Sequence, residues 1–94
     1  MTEKQSFIYV LADPRDSIVR YVGSTIDVRR RAKDHQHRQS GQPKLAQWKN
    51  SLFDAGLKPK FTLIMICPRH RAKAYERMII DRYRQLGNNL LNVR

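Results

Sequence analysis

Residues 7–35 read FIYVLADPRDSIVRYVGSTIDVRRRAKDH. They hold two strands, the turn between them and the opening of a helix. The apolar run 7–12 ends in Asp13-Pro14-Arg15-Asp16-Ser17, residues that favour turns through a fixed φ or short hydrogen-bonding side chains. A second strand pattern occupies 18–23, so the pair predicts an antiparallel hairpin. A turn centred on Arg15 sets Tyr9 opposite Tyr21 on one face, and a slip of one residue would part the two rings. Beyond Gly23-Ser24-Thr25, Asp27 is placed to cap a helix running to about residue 39, its carboxylate accepting from free N–H groups of the first turn. Arg31 and His35 stand four apart and project from one side of that helix. Two phenols, a guanidinium and an imidazole thus converge where a strand ends and a helix begins.

Downstream, Ser40-Gly41-Gln42-Pro43 breaks the chain. A second helix is expected over about 44–55, with Leu45, Trp48, Leu52 and Phe53 at helical spacing and Gly56 as its stop. Trp48 shares that apolar stripe and reads as core. The near-continuous apolar run 61–67 reads as a strand buried on both faces, the expected centre of the sheet, with Cys67 inside it. A third helix follows over about 71–86, ending at Gly87, and Leu90 and Leu91 tack the tail onto the core. The order ββααβα predicts an α+β fold: a small mixed, largely antiparallel three-stranded sheet flanked by helices, in one domain over 1–94.

The net charge of +11 calls for a polyanionic partner. Nucleic acid fits better than a membrane surface, because the most basic helix lacks the broad apolar face that interfacial binding needs. No run is long enough to span a bilayer, and MTEKQS lacks the layout of a signal peptide. The single cysteine excludes an intrachain disulfide and suits a reducing compartment. The expected location is the cytoplasm, including the nucleoid.

Phosphodiester cleavage needs a nucleophilic water, charge on the phosphoryl oxygens and help for the leaving group. Eight acidic residues bound how this chain could supply them. With the turn, cap, terminal and helix-end carboxylates set aside, Asp34, Glu76 and Asp81 remain, too few for a two-metal cluster. One hard divalent ion, held mainly by Glu76 and water, is what the inventory allows. Cys67 with His70, or His35 with His37, is too small a set for zinc. The Asp...Glu-x-Lys pattern, a phosphate-binding glycine loop and a nucleophile elbow are all absent.

In order and spacing, Ile8-Tyr9, Tyr21-Val22-Gly23 with Ser24-Thr25, Arg31, His35, Glu76 and Leu90-Leu91-Asn92 resemble the GIY-YIG endonucleases over nearly the whole chain. Phe7 departs from the family pattern, which has glycine there. The resemblance implies roles. Tyr9 would be the general base or would orient the attacking water, and Tyr21 would bond the water or phosphate. Arg31 would neutralise non-bridging oxygens, His35 would assist proton transfer, Glu76 would bind Mg²⁺ (Mn²⁺ substituting), and Asn92, with Asn88 as alternative, would brace the site. Gly23, Ser24, Arg29, Arg30, Lys33 and Arg38 would meet the nucleic acid. A free tyrosine, with a pKa of about 10, is a poor base at neutral pH, and the chain's positive charge is expected to lower that value.

Taken singly, each residue has a plainer reading: strand tyrosines, a solvated arginine, a surface histidine, a glutamate favouring its helix dipole, a tail asparagine. Their joint order is what those readings do not predict. The expected function is metal-dependent DNA endonuclease activity of low sequence specificity or directed by DNA structure, with a protein partner as one source of targeting. The competing classes are a non-catalytic nucleic-acid-binding module that keeps the nuclease fold and a basic module for an acidic protein.

Overall fold

The computed structural model describes residues 4–37 and 42–92. In chain order they form β1 (Gln5–Ala12), β2 (Val19–Thr25), α1 (Val28–Asp34), α2 (Pro43–Asp54), β3 (Lys60–Pro68), a 3₁₀ turn (Arg69–Arg71) and α3 (Ala72–Gln85). The α+β architecture and the ββααβα order are those expected. The sheet is antiparallel throughout, in the order β2-β1-β3.

β1, not β3, is therefore the central strand. The apolar run in β3 correctly signals a strand, but α3 packs on β2 and β1. Leu63, Ile64 and Ile66 stay 41%, 40% and 55% exposed on the outer strand. Only Cys67 of β3 is buried. Continuous hydrophobicity reports low polarity, not position in the sheet.

Alternation along β1 divides the interior in two. Ile8 and Val10 pack with Val22, Cys67, Ala72, Ile80 and Leu90 on the α3 side. Tyr9 and Leu11 pack with Leu45 on the other, joined by Tyr21, Trp48, Phe61 and Leu91. The two tail leucines thus belong to opposite layers, and the C-terminal segment wraps the outer edge of β2. There the Leu91 N–H donates to the Arg20 carbonyl at 2.6 Å.

The hairpin register differs from the expected one. Tyr9 pairs with Gly23, and Tyr21 with Leu11. Ser17 takes a left-handed φ of 63°, and the pairing shifts between Leu11 and Ala12. The resulting offset is two residues, which preserves the face, so the two phenols still share a side.

Asp27 caps α1 as expected, accepting from the Arg30 N–H at 3.1 Å. The helix is shorter than the expected span to residue 39. It has no buried residue, and His35 ends it as the C-cap. Expectations on 38–41, including the Ser40-Gly41 break and Arg38 as a nucleic-acid contact, fall outside the described residues. Gly56 and Gly87, at φ of 75° and 93°, close α2 and α3. In each case paired hydrogen bonds return to the last helical turn, as in Leu57 N–H to Leu52 O and Asn88 N–H to Tyr83 O. Among the described residues no helix is long and apolar enough to cross a membrane.

Candidate active site

Tyr9 lies in the middle of the central strand with its ring 1% exposed. The ring stacks on Phe61 of β3, centroids 4.7 Å apart. On the other flank, the Gly23 Cα gives the phenol its room. A Cβ at Gly23 would run into the Tyr9 oxygen and ring. Gly23, expected among the nucleic-acid contacts, is buried beneath this ring instead.

His35 reaches the same place from the end of α1. Its side chain is buried, and its Nε2 forms a 2.9 Å hydrogen bond with Tyr9 Oη. The two rings are 5.3 Å apart, with Tyr21 6.4 Å from Tyr9 and 6.2 Å from His35. Arg31, exposed on α1, stands near enough to Tyr9 for its guanidinium to draw the phenol's pKa downward. The sheet and α1 thus bring together Tyr9, Tyr21, Arg31 and His35.

Glu76 comes from α3, which covers the opposite layer of the core. Its charge acts on both phenols, and its Oε2 accepts from Ser24 Oγ at 2.8 Å. Ser24 is therefore engaged with the glutamate. Asn92 braces β2 directly. Its Oδ1 accepts from the Val22 N–H at 2.9 Å and its Nδ2 donates to the Val22 carbonyl at 2.7 Å, as a neighbouring strand would. Asn88 does less, donating once to the Val19 carbonyl. Arg29, Arg30 and Lys33 stand exposed on α1.

Electrostatics in the site run against one expectation. Burial, reinforced by Tyr21 and Glu76, pushes the Tyr9 pKa well above its ordinary value, and Arg31 only partly offsets it. Tyr21 is raised too, again mainly by burial. Burial also holds His35 neutral, lowering its pKa to about 4, helped by Lys49 and Arg31. One exposed guanidinium cannot match the loss of water around a phenolate.

Sequence reasoning missed Lys49. It is fully buried on α2, and its Nζ stands 3.3 Å from His35 Nδ1. The available signal was its place in the stripe Leu45, Trp48, Lys49, Leu52, where helical spacing calls for an apolar side chain. Asp13 was also under-read. Its carboxylate accepts from Arg15 and, at 3.0 Å, from Trp48 Nε1, tying the hairpin turn to α2.

As a donor set for a metal, the site offers one half-buried carboxylate with one oxygen held by a serine. No group of three His, Cys, Asp or Glu converges among the described residues. That fits a single hard divalent ion completed by water and phosphate oxygens, and does not fit a multi-carboxylate cage.

One buried and one half-buried phenol stand beside an imidazole, a guanidinium and one carboxylate, next to a helix of exposed cations. The chain belongs to the GIY-YIG family: the family model described as the GIY-YIG catalytic domain matches residues 5–92. That membership implies nuclease activity in general. No curated protein and no solved structure matches the chain.

Proposed function

We propose that this chain is a metal-dependent DNA endonuclease in which Tyr9 handles the attacking water. The observation that supports it best is the seating of the Tyr9 phenol: stacked on Phe61, fitted over Gly23, bonded to His35 and flanked by Arg31. A core tyrosine needs one hydrogen-bond partner for its buried hydroxyl, and not an imidazole and a guanidinium together.

In this reading the Tyr9 oxygen takes the proton of the attacking water, or orients that water when protonated. Tyr21 contributes a second hydrogen bond to the water or phosphate. Arg31 offers its guanidinium to the non-bridging oxygens, where developing charge is greatest. Glu76, oriented by Ser24, would hold Mg²⁺ or Mn²⁺, which when bound supplies Lewis acidity to the phosphoryl oxygens and the leaving group. Asn92 keeps β2, and with it Tyr21 and Gly23, in place.

Arg29, Arg30 and Lys33 would meet phosphates, which position a protein on DNA and carry no base identity. Cleavage is accordingly of low sequence preference or follows DNA structure such as a branch, and finer targeting would come from a partner protein.

The test is incubation with supercoiled plasmid and a panel of branched DNAs, with and without Mg²⁺ or Mn²⁺, for the wild type, Tyr9→Phe and Glu76→Ala. Metal-dependent nicking that falls about a hundredfold or more in both variants is expected. Tight DNA binding without cleavage of any substrate would instead support the non-catalytic module.

A further inference from the structure

Lys49, His35 and Tyr9 form a buried file contributed by three elements: α2, the end of α1 and β1. Lys49 Nζ is 3.3 Å from Nδ1 of the imidazole, and Nε2 of the same ring is 2.9 Å from Tyr9 Oη. The three side chains are 0%, 5% and 1% exposed.

An ammonium has three donors and no acceptor, so a ring nitrogen facing it must accept. A neutral imidazole whose Nδ1 carries no proton carries it on Nε2. That N–H then points at the phenol oxygen and donates to it. The phenol's own O–H is thereby left free of the ring.

The lysine, rather than the histidine, keeps the charge. Burial lowers both pKa values, with Asp34 drawing that of Lys49 back up, and from ordinary values of 10.5 and 6.5 the more basic group is the one that retains its proton. Of the charged groups around the ring, Arg31 on α1 and Lys49 on α2 both oppose an imidazolium, while Asp34 on α1 favours positive charge on either residue. Tyr21 on β2 and Glu76 on α3 act at the phenol end of the file.

We propose that Lys49 is a positioning residue that locks His35 in the Nε2–H tautomer, so that Tyr9 accepts from the ring rather than donating to it. Its place in catalysis rests on the nuclease reading above. With this polarity His35 is not the acceptor of the Tyr9 proton. It holds the phenol oxygen in place and stabilises its negative charge once the phenol proton has passed to solvent water, because a hydrogen bond to the charged form favours it.

Two-bond ¹H–¹⁵N correlation spectra of the full chain at neutral pH report which nitrogen of each imidazole carries the proton. His37→Gln and His70→Gln variants assign the His35 ring. The expected wild-type pattern is a bare Nδ1 and a protonated Nε2. Lys49→Met should release that preference, and Lys49→Arg, which can only donate, should keep it. A wild-type ring protonated on Nδ1, or a ring still locked in Lys49→Met, overturns the proposal. The wild-type spectrum decides even where the methionine variant does not fold.

In the plasmid assay, Lys49→Met should lower kcat at least about tenfold with KM unchanged, and Lys49→Arg should recover part of it. An unchanged kcat in Lys49→Met removes the positioning role. Absence of nicking by the wild type would defeat the nuclease reading, while the ring spectra would still decide the tautomer lock.

Discussion

At the scale of single residues the site depends on space as much as on charge. The Tyr9 ring sits between Phe61 and the bare Cα of Gly23, with nowhere to move. Gly23→Ala should therefore displace the phenol and cut the nicking rate about a hundredfold while leaving DNA affinity within a few-fold, measured by nicking and by fluorescence anisotropy. The raised pKa of Tyr9 has a consequence for pH. If Tyr9 acts as base it works as phenolate, and burial makes the phenolate scarce at neutral pH. The single-turnover rate should rise about tenfold per pH unit from pH 7 toward 9, and a flat profile over that range would leave Tyr9 only the water-orienting role. The bond from Ser24 to Glu76 predicts a separable effect. Ser24→Ala should raise the Mg²⁺ concentration needed for half-maximal nicking about tenfold, with the maximal rate recovered at high metal.

At the scale of elements, two ties hold the site together. One fastens α2, the carrier of Lys49, to the hairpin. Asp13, 1% exposed, accepts from the Arg15 N–H and guanidinium and from Trp48 Nε1. These donors hold its pKa far below the usual carboxylate range. Asp13→Asn exchanges a charged acceptor for an amide that must turn one donor toward other donors. It should destabilise the fold by about 2–3 kcal/mol in urea denaturation. The second tie is the C-terminal segment along β2, where the Asn92 side chain completes the ladder at Val22 and the Asn88 side chain reaches Val19. The outer edge of β2 is closed by the protein's own tail, on the strand that supplies both Tyr21 and Gly23.

For the whole molecule, buried histidine and buried aspartate divide the acid response into two windows. His35 has a pKa of about 4 when folded and an ordinary value of 6.5 when exposed. Between those values the unfolded chain binds a proton that the native state refuses, so stability falls as pH drops from 6.5 toward 4. The loss is about 3 kcal/mol. Asp13 acts lower. Its folded pKa is depressed, so its contribution is present above 3.8 and is lost as pH falls further. Urea melts at pH 7, 5 and 3 should show both losses, and His35→Gln should remove only the first. A net charge of +11 sets the other global property. DNA affinity should fall steeply with salt, and removing Arg29, Arg30 or Lys33 singly should reduce the log–log slope by about 0.9 for each phosphate that is no longer neutralised.

How much of this was legible in the chain follows from the range over which each feature is decided. Turn chemistry at 13–17, the Asp27 cap, the glycine stops at 56 and 87 and the ordered set Tyr9, Tyr21, Arg31, His35, Glu76 and Asn92 are local or motif-level signals. They were sufficient for the element order, the α+β class and the family. The expected shared face of the two phenols survived a wrong register only because the offset is two residues, since strand periodicity tolerates an even slip and not an odd one. What only the tertiary structure decided is everything that depends on which element lies against which. Neither the exposure of β3 nor the central place of β1 is written in a hydrophobic run, since β1 is central because both other strands pair with it and β3 is exposed because α3 packs on β2 and β1. The charge on Lys49 acquires meaning only when α2 presses it against His35. The direction of the Tyr9 pKa shift, likewise, follows from how completely Phe61, Gly23 and His35 exclude water, an effect of packing that outweighs a sequence rich in positive charge.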